Sequence, residues 1–452
     1  MRRFDAVVIG GGILGCFAAR NLRKWNISTL LLEADSDVCT GITRANAAIV
    51  YPGYDNRAGS LKAAMTVRGN REFGQLCRQL DVPFSRCGSF MVSFTEAGNA
   101  ALEKKFRMGS ENRVPGLSLL SGSEAREREP MLAEGISKAL YAPSTGTVNP
   151  WQLGIAAFEN AAANGCEVKL DAPVLGITQI DGGYVVKTDA EEIFCTMVLN
   201  CAGAASDKVQ EMVFEPSVRL FCDGADFLVL DKRAKRPGHI IFHQAAEHGK
   251  GITAIPTTEG NLLLGPTRRK SAASPYATTR EGLEFLRQDA LTILPELELE
   301  LTIRSFGAVR PNPHRVMLKD GAYVPDGSSI GSFAIQRPAG SFISLIGIKT
   351  PGITCAQELG MFLARETAAY LNATPNESFN PYRKGISRVQ GRQIICQCGH
   401  ISKEEILEAV RRGARTVDGV KRRVGSGMGR CQGSRCSFAI ERILEECQNE
   451  KL

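Results

Sequence analysis

The sequence contains no hydrophobic run long enough to cross a membrane. A spanning helix needs roughly 18 consecutive apolar residues, whereas the best stretches, Ala6–Ile13 and Phe342–Ile348, are short and broken by glycine. An export signal is not predicted either, because the apolar stretch behind Arg2 and Arg3 leads directly into a run of glycines with no cleavage site. Internal repeats and low-complexity tracts are absent as well. The sequence therefore predicts no transmembrane segment.

The composition is that of a multidomain globular protein. The chain has 452 residues, enough for about three domains at roughly 150 residues each. Hydrophobic residues make up 43% and charged residues 23%, which excludes a disordered, collagen-like or coiled-coil chain. There are 14 cysteines. Without an export signal they indicate a cytoplasmic location, where paired cysteines more often hold metal or do redox chemistry than form disulfides.

Positive charge is concentrated at the C-terminal end. The last 62 residues hold 12 Lys and Arg against 8 Asp and Glu, so they carry +4 of the chain's net +7. A basic segment usually suggests nucleic acid or anionic lipid, but no groove-reading helix with interleaved aromatic residues is visible. The segment also contains Cys396, Cys398, Cys431 and Cys436. Four thiolates around an iron–sulfur cluster would form a negative centre that nearby cations stabilise, so nucleic-acid binding is not predicted.

The N-terminal residues have the pattern of a dinucleotide-binding βαβ unit. An apolar strand, Phe4–Ile9, leads into Gly10-Gly11-Gly12-Ile13-Leu14-Gly15, and a helical stretch and a second strand, Ser28–Leu32, follow. Gly10, Gly12 and Gly15 provide the tight turn, the close approach to a pyrophosphate and the helix–strand contact. Glu33 ends the second strand, where a carboxylate can accept a hydrogen bond from a ribose hydroxyl. The alternative is a glycine-rich turn between buried elements, but the order of strand, glycines, helix and acid favours the nucleotide site.

Two later stretches complete the same domain. The strand Met197–Gly203, with a helix after it, resembles the second dinucleotide contact of FAD enzymes. The strand Phe342–Ile346, the loop Gly347–Thr354 and the helix Cys355–Leu371 form a third contribution. Only one phosphate-binding fingerprint is present, so the chain has no visible NAD site of its own.

The segments between these stretches alternate apolar and polar residues with turn signals, which is typical of an antiparallel sheet. This sheet would lie over the flavin as a substrate domain. The predicted fold class is α/β, with a discontinuous Rossmann-like FAD-binding domain, an antiparallel-sheet substrate domain and a small helical C-terminal iron–sulfur domain. The predicted bounds are 1–82, 143–212 and 311–374 for the FAD-binding domain, 83–142 and 213–310 for the substrate domain, 375–390 for a linker, and 391–452 for the [2Fe-2S]-binding domain.

Cysteine spacing gives the most specific signal in the tail. Cys396 and Cys398 form a Cys-x-Cys pair, 32 residues intervene, and Cys431 and Cys436 form a Cys-x4-Cys pair. Four thiolates can hold either a [2Fe-2S] cluster or a structural zinc ion. In zinc sites two to four residues usually separate the cysteines of a pair, whereas only one residue separates Cys396 from Cys398. Free thiols are the remaining alternative. Cys447 lies beyond the motif and is expected to be a surface or packing cysteine.

These motifs resemble those of known redox families. The first 375 residues or so resemble the D-amino-acid-oxidase-like FAD oxidoreductases, in particular the anaerobic glycerol-3-phosphate dehydrogenase large subunits and the L-2-hydroxyglutarate dehydrogenases. The matching segments are the glycine fingerprint, Arg44–Val50, Gly53–Asp55, Thr145–Pro150, Asn200–Gly203, Gly260–Pro266, Val309–Pro311 and Gly347–Thr354. From Ile395 the tail resembles a bacterioferritin-associated-ferredoxin-type [2Fe-2S] domain, through Cys396–Cys398, Asp418–Arg423 and Gly427–Gly433.

The resemblance implies two cofactors, FAD and a [2Fe-2S] cluster, the latter held by the four cysteines named above. The FAD-binding residues it implies are Gly10, Gly12, Gly15, Glu33, Arg44, Ala45, Ala48, Tyr51, Ala202, Gly203, Gly347, Gly352, Ile353 and Thr354. The loop 347–354 precedes a helix, whose free N–H groups and dipole favour negative charge on a reduced flavin ring. The alternative for this loop is an ordinary strand–helix turn.

Relatives also suggest how a substrate would be held. Arg310 matches an arginine that reaches the substrate's anionic group, and its fork of donors suits a carboxylate or phosphate. Lys349 would neutralise either the reduced flavin or a substrate anion, and Arg44 would lie at the ring. His243 and His314 are the candidates for a general base, although a histidine in such a sheet is more often structural.

Two residues depart from the family pattern. Relatives commonly have histidine where this chain has Tyr51, and some use that histidine as a covalent tether, so FAD is expected to be bound non-covalently here. Glu259 stands where a neutral or basic residue is expected. That acid argues against assuming a simple phosphate ester as the substrate.

The resemblance implies a cytoplasmic FAD-dependent dehydrogenase. It would oxidise a small anionic substrate, either a 2-hydroxy acid, a glycerol phosphate or an amino acid, by hydride transfer to flavin N5. Electrons would then leave through the [2Fe-2S] cluster to a partner flavoprotein or iron–sulfur subunit. The alternative is a non-catalytic FAD and [2Fe-2S] electron-transfer subunit of a heteromeric dehydrogenase.

Overall fold

The computed structural model describes residues 1–244, 250–270, 276–387 and 393–449. The strands are β1 (Arg2–Ile9), β2 (Thr29–Leu32), β3 (Ile49–Val50), β4 (Phe84–Ser85), β5 (Ser89–Ser93), β6 (Ser118–Ser121), β7 (Lys138–Ala142), β8 (Gly146–Val148), β9 (Glu167–Lys169), β10 (Gly176–Ile180), β11 (Gly183–Lys187), β12 (Glu192–Asn200), β13 (Val218–Leu230), β14 (Ile240–Gln244), β15 (Lys250–Pro256), β16 (Leu262–Gly265), β17 (Thr302–Lys319), β18 (Ala322–Pro325), β19 (Ala334–Ala339), β20 (Phe342–Ile346), β21 (Ile394–Cys396) and β22 (Ile401–Ser402). The α-helices are α1 (Ile13–Leu22), α2 (Leu61–Leu80), α3 (Glu96–Glu111), α4 (Gly122–Arg128), α5 (Pro150–Ala163), α6 (Ser206–Glu211), α7 (Arg280–Ile293), α8 (Ala356–Leu371), α9 (Lys403–Arg411), α10 (Val417–Val424) and α11 (Ser437–Asn449). Short 3-10 helices cover Ile42–Arg44, Gly203–Ala205 and Leu299–Leu301.

An eight-stranded sheet forms the first layer. Its main path runs β10-β11-β12-β1-β2-β9, and β20 joins beside β12 and pairs in turn with β19. The central strands β9, β2, β1, β12 and β20 are parallel, and the inner parts of β1, β2 and β12 are buried, as expected for strands covered on both faces. Helices α1, α5 and α8 pack together on this sheet. Strands from three separated stretches therefore build one domain.

A nine-stranded sheet forms the second layer, in the order β18-β17-β13-β16-β15-β14-β5-β7-β6. Every pair in it is antiparallel except β14 with β5, which is parallel. One face packs on α4 and α7, and the opposite face packs on Ile49, Tyr51 and Tyr54 of the first domain. The boundary predicted at residue 310 falls inside β17, because this strand continues to Lys319 and then pairs with β18.

The tail forms a compact helical unit with its own core. A capping box at Ser402 and Glu405 begins α9, and α10 ends at Gly425, whose positive φ of 77° suits glycine. Ile401, Ile406, Val420 and Ile440 bring the short hairpin β21–β22 and the three helices together in one apolar cluster. Cys447 lies in this cluster and is 4% exposed, so it is a packing residue.

The segment predicted as a linker is bound to the first domain over most of its length. The backbone N–H of Asn376 donates to Lys24 O and that of Arg383 to Gln79 O, while Asn160 donates to Asn380 O and Tyr382 O. Residues 376–385 are therefore a strap on the domain surface rather than a free connection. Residues 388–390 of the predicted linker, and 391, 392 and 450–452 of the predicted tail domain, lie outside the described residues.

None of the helices in the described ranges combines the length and apolar character that a membrane crossing needs.

Candidate functional site

The glycine loop after β1 is packed too tightly for side chains. Gly10 has a φ of +100°, and a Cβ there would lie 2.7 Å from Cys201 O. A Cβ on Gly15 would lie 1.8 Å from Gly10 O, so α1 contacts the loop directly. Gly12 caps α1 without a side-chain hydrogen bond, and the first turn has no acidic residue. The N–H of Ile13 donates to Thr43 Oγ1 at 3.0 Å, and the other N–H groups of the first turn face the position that an anion takes in dinucleotide binding.

Glu33 stands at the end of β2, beside this loop. Its carboxylate accepts hydrogen bonds from the backbone N–H of Gly11 at 2.5 Å and of Asp35 at 2.9 Å. Burial raises the pKa of Glu33, and the hydrogen bonds from Asp35 and Gly11 oppose that effect. These contacts fix a carboxylate next to the glycine loop, which is the position predicted for a ribose contact.

The second predicted dinucleotide contact lies against the same loop. The side chain of Asn200 accepts from the backbone N–H of Ala202 at 3.2 Å and so shapes the turn after β12. Gly203 follows with a φ of +58°. Since a Cβ on Gly10 would meet Cys201 O first, the turns after β1 and β12 lie together at one edge of the sheet.

The segment from Arg44 to Tyr51 crosses between the two sheets. Arg44 ends a 3-10 helix, and its carbonyl accepts from Trp151 Nε1 at 2.9 Å. Ala45 packs in the apolar cluster under the nine-stranded sheet. Ala48 has a φ of +55°, a conformation held by a hydrogen bond from its N–H to Asn46 Oδ1.

A hydrogen bond joins this segment to the loop before α8. The backbone N–H of Tyr51 donates to Thr354 Oγ1 at 2.9 Å, and Gly352 donates to Lys349 O at 2.7 Å. Gly347 has a φ of +61°, and a Cβ there would meet Leu220 and Pro313 below 3 Å. Ile353 packs on the apolar cluster around α5. The structure thus brings the two predicted ring-side segments together.

A cavity of about 120 Å³ opens beside this junction. Its wall is formed by Tyr51, Pro52, Gly53, Tyr54, Asp55, Asn56, Lys62, Arg310, Thr350 and Pro351. Among the described residues no hydrogen bond or ion pair engages the guanidinium of Arg310. Lys349 stands close by and donates to Asn312 Oδ1 at 2.7 Å. Burial, followed by the positive charges of Arg310 and Lys62, lowers the pKa of Lys349 to about 8. The wall contains one acid, Asp55, which is paired with Lys105, so the cations Arg310, Lys62 and Lys349 leave the small cavity suited to an anion.

The two histidines considered as bases do not line this cavity. His243 Nδ1 lies 2.8 Å from Asp289 Oδ1, and Asp289 belongs to α7, on the face of the nine-stranded sheet that points away from the cavity. His314 lies farther along β17, with its Nδ1 3.3 Å from Gly327 O and its ring edge against Phe221. His243 therefore holds α7 on the sheet, and His314 packs on Phe221. The general-base role of either histidine stays a prediction.

Glu259 also lies away from the cavity. Its carboxylate accepts from Asn149 Nδ2 at 2.8 Å and from Thr258 Oγ1 at 2.9 Å. The acid is thus used in a loop contact, and the sequence argument that it disfavours a phosphate ester loses its basis.

The four tail cysteines meet in two pairs. Cys398 Sγ and Cys431 Sγ are 3.7 Å apart, and Cys396 contacts Cys436, whose pKa is raised to about 11 by burial and by Cys396. Two thiolates on one tetrahedral metal, with metal–sulfur bonds of about 2.3 Å, stand about 3.8 Å apart. Among the described residues no group of three or more His, Cys, Asp or Glu side chains is placed to hold a single metal ion.

The loop around these cysteines is shaped for sulfur ligands. A Cβ on Gly429 would lie 2.3 Å from Cys398 Cβ, so glycine is required for the two segments to approach. The pKa of Cys431 is lowered, first by the hydrogen bond from the backbone N–H of Gly433. Thiolate character at this position fits the predicted ligand role.

Sequence reasoning missed three features of the site. Lys62 on α2 and Asn312 on β17 reach the cavity region, and neither lies in a recognisable motif. Asp37, in the loop after β2, accepts hydrogen bonds from Arg422 and Arg423 of the tail at 2.7–2.9 Å. Pairing over such a sequence distance leaves no local signal.

Comparison with known proteins identifies both parts of the chain. Residues 5–366 match the family described as FAD dependent oxidoreductase, and residues 394–446 match the BFD-like [2Fe-2S] binding domain. These matches confirm the expected fold class and the two expected cofactors, FAD and a [2Fe-2S] cluster.

Individual relatives agree with these matches. A glycerol 3-phosphate dehydrogenase of Caloramator mitchellensis is 35% identical over 469 aligned positions, covering 98% of this chain and 94% of the relative. The mitochondrial L-2-hydroxyglutarate dehydrogenase of Homo sapiens is 28% identical over 312 positions, covering 64% and 66%. In structure, the FAD-bound L-alpha-glycerophosphate oxidase of Mycoplasma pneumoniae superimposes with a TM-score of 0.75 at 22% identity, covering 85% of this chain and 99% of that one.

Proposed function

The chain belongs to the FAD dependent oxidoreductase family and carries a BFD-like [2Fe-2S] binding domain, and from this premise we propose that it oxidises glycerol 3-phosphate and passes the electrons to a separate one-electron carrier. The coarser activity, an FAD-dependent oxidoreductase of the glycerol-3-phosphate or 2-hydroxy-acid type, follows from the family and its relatives. The substrate, the acceptor and the residue roles are the proposal.

The observation that carries the proposal is the cationic cavity beside Tyr51. A volume of about 120 Å³ suits a molecule of a few heavy atoms, and Arg310, Lys349 and Lys62 stand around it. A phosphate monoester carries close to two negative charges at neutral pH and offers three acceptor oxygens, so several cations suit it better than they suit a single carboxylate. The dehydrogenase relative that covers nearly the whole chain supports the same choice.

Residue roles follow from the contacts. When bound, FAD would supply the hydride acceptor for the substrate carbon, and a [2Fe-2S] cluster would supply a one-electron outlet. Arg310 would bind two oxygens of the phosphate through its planar fork. Lys349, held by Asn312, would add a positive charge at the cavity mouth. The N–H groups at the start of α8 would face the ring side, and Tyr51 would form the wall against which the substrate carbon lies.

Other residues of the chain would hold the two cofactors. Gly10, Gly12 and Gly15 would admit the pyrophosphate, and Glu33 would accept from the ribose. Cys396, Cys398, Cys431 and Cys436 would bind the cluster. Tyr51 offers no imidazole, so the flavin would be bound without a histidyl tether.

Anaerobic reduction of the purified holoenzyme tests the substrate. We expect glycerol 3-phosphate to bleach the flavin absorbance, whereas uncharged glycerol does so only weakly. L-2-hydroxyglutarate and glycine serve as the competing substrates. Bleaching by L-2-hydroxyglutarate alone would replace the phosphate ester with a hydroxy acid. Bleaching by none of them, with rapid reduction by a co-purified protein, would favour the electron-transfer subunit.

A pair of variants tests the cavity. Arg310→Ala should raise the glycerol 3-phosphate concentration needed for half-maximal bleaching by at least tenfold, because a charged hydrogen bond contributes about 1.5–3 kcal/mol. Arg315→Ala is the matched control, since Arg315 lies on the same strand but does not line the cavity. Equal effects of the two substitutions would place the substrate elsewhere.

A further inference from the structure

The cluster site has an inner and an outer side. Cys396 and Cys436 are each 1% exposed, whereas Cys398 and Cys431 are only half-buried. Of this outer pair, Cys398 lies in the turn between β21 and β22, and Cys431 lies in the loop between α10 and α11. Gln432 of that loop accepts a hydrogen bond from Arg304 of β17 at 3.4 Å, so one side of the loop faces the catalytic part of the protein. Electrons that leave the protein would depart from the half-buried pair.

The surface next to these thiols is basic. Arg430 directly precedes Cys431, and Arg435 directly precedes Cys436. Both arginines are exposed, and in the part of the chain that the structure describes neither side chain has a hydrogen bond or an ion pair. Residues 425–440 contain no Asp or Glu. The other exposed arginines of the tail contrast with these two, since Arg411 is paired with Glu408 and Arg415 with Asp171.

An aromatic side chain stands in the same segment. Phe438, in the first turn of α11 and two residues after Cys436, is 73% exposed. Aromatic residues, phenylalanine included, and arginines are enriched at protein interfaces relative to the rest of the surface. A single exposed Phe is common on protein surfaces. Phe438, however, lies in the same short segment as two cluster cysteines and two exposed arginines.

We propose that Arg430, Arg435 and Phe438, here called the cluster face, form the docking surface for an acidic one-electron carrier protein. The charge favours this occupant, because two arginines without a partner among the described residues, in a segment without Asp or Glu, attract a negative surface and steer its approach. The transfer moves one electron from the reduced centre to the oxidised carrier, with no bond made or broken. The inference deepens the proposed function, since it names the kind of acceptor and where it binds.

Electron transfer to a defined probe tests this without using the substrate. The holoenzyme is reduced under anaerobic conditions with a stoichiometric amount of dithionite, so that no free reductant remains. It is then mixed with an oxidised acidic plant-type ferredoxin, and the second-order rate is measured against salt. Because dithionite supplies the electrons, the result does not depend on whether glycerol 3-phosphate is the substrate. A neutral benzoquinone serves as the small acceptor.

The double variant Arg430→Glu/Arg435→Glu should slow ferredoxin reduction at low salt at least tenfold and flatten its salt dependence. Benzoquinone reduction and the spectrum of the reduced cluster should stay unchanged. Phe438→Ala should weaken ferredoxin binding by about tenfold while keeping the salt dependence. The control Arg411→Glu/Lys104→Glu changes net charge equally, on α9 and α3, and should leave the rate within twofold.

Two results would overturn the proposal. If the cluster-face double variant slows both acceptors equally, the arginines act on the cluster itself and not on a partner. If neither the double variant nor Phe438→Ala changes ferredoxin reduction relative to the control, the carrier docks at another surface.

Discussion

Asp37 joins the tail to the FAD-binding domain, and substitution of Asp37 tests how strongly this contact holds the two together. Its carboxylate accepts from Arg422 Nη2 at 2.8 Å and from Arg423 Nη1 and Nη2 at 2.7 and 2.9 Å. The three side chains are 3%, 7% and 1% exposed, in that order. We call this group the clasp. Asp37→Asn removes the negative charge and keeps the shape.

The expected loss follows from burial. The Nε atoms of both arginines already lack partners among the described residues, so the carboxylate is the main compensation for two buried charges. Removing one partner of a buried pair costs about 3–5 kcal/mol. That range corresponds to a factor of about 150 to 4,000 in the docking equilibrium. Urea unfolding followed by the visible circular dichroism of the cluster measures this loss for the tail.

Two further variants make the clasp measurement decisive. Arg415→Ala breaks an interdomain pair whose side chains are 61% and 59% exposed, so it should cost at most about 1 kcal/mol. Replacing Asp37 by Leu together with Arg422→Met and Arg423→Met removes all three charges and should recover most of the loss. A loss below about 1 kcal/mol for Asp37→Asn would refute the reasoning, because a buried unpaired charge costs more than that.

The clasp should also respond to acid. Burial acts to raise the pKa of Asp37, but hydrogen bonds and charge from Arg423 and Arg422 outweigh it and bring the pKa below the ordinary value of 3.8. A carboxyl with a depressed folded pKa stabilises the folded state above its unfolded pKa, and the stabilisation is lost as the pH falls through the folded value. The tail should therefore stay docked between pH 5 and 7 and loosen only below about 3.8.

Three further predictions concern the cofactors and the cavity. Because the pKa of Lys349 is lowered to about 8, its charge is lost above that pH, so kcat/KM for an anionic substrate should fall as the pH rises through about 8, and a pH profile of Lys349→Arg should lack this fall. Glu33→Ala should weaken FAD binding by about one to two decades in a fluorescence titration of the apoprotein, since a hydrogen bond to a charged acceptor contributes about 1.5–3 kcal/mol; unchanged affinity would mean that another residue holds the ribose. Cys431→Ser should remove or weaken the cluster, measured as iron and sulfide content, while substrate still bleaches the flavin; full turnover with the one-electron carrier in this variant would show that electrons leave by another route.

The parts of the fold that could be predicted are those whose signal is local. The glycine fingerprint predicts the tight turn after β1, because neighbouring atoms leave no room for a side chain at Gly10 or Gly15. The cysteine spacing likewise identifies the tail domain within a few dozen residues. In both cases one short segment contains the whole pattern, and the matched families confirm it.

The parts that could not be predicted depend on distant contacts. Arg422 and Arg423 sit in a charged helix that reads as solvent-exposed, yet they are buried because Asp37, 386 residues away from Arg423 in sequence, faces them. The strap at 376–385 has the proline and polar content of a linker, but its backbone groups are bound by residues of α1, α2 and α5. The composition of a segment shows that it is polar, but it does not show which distant residues pack against it.

The strap also limits what loss of the clasp can do. Among the described residues its last hydrogen bond with the FAD-binding domain runs from Gly385 N–H to Asp81, and β21 begins at Ile394. Nine residues span at most about 32 Å, so the tail remains near the domain even when undocked and its effective concentration stays high. Breaking the clasp should therefore slow electron transfer from the flavin to the cluster without abolishing it. The strap therefore keeps the tail close to the FAD-binding domain, and the clasp fixes the orientation of the tail on that domain.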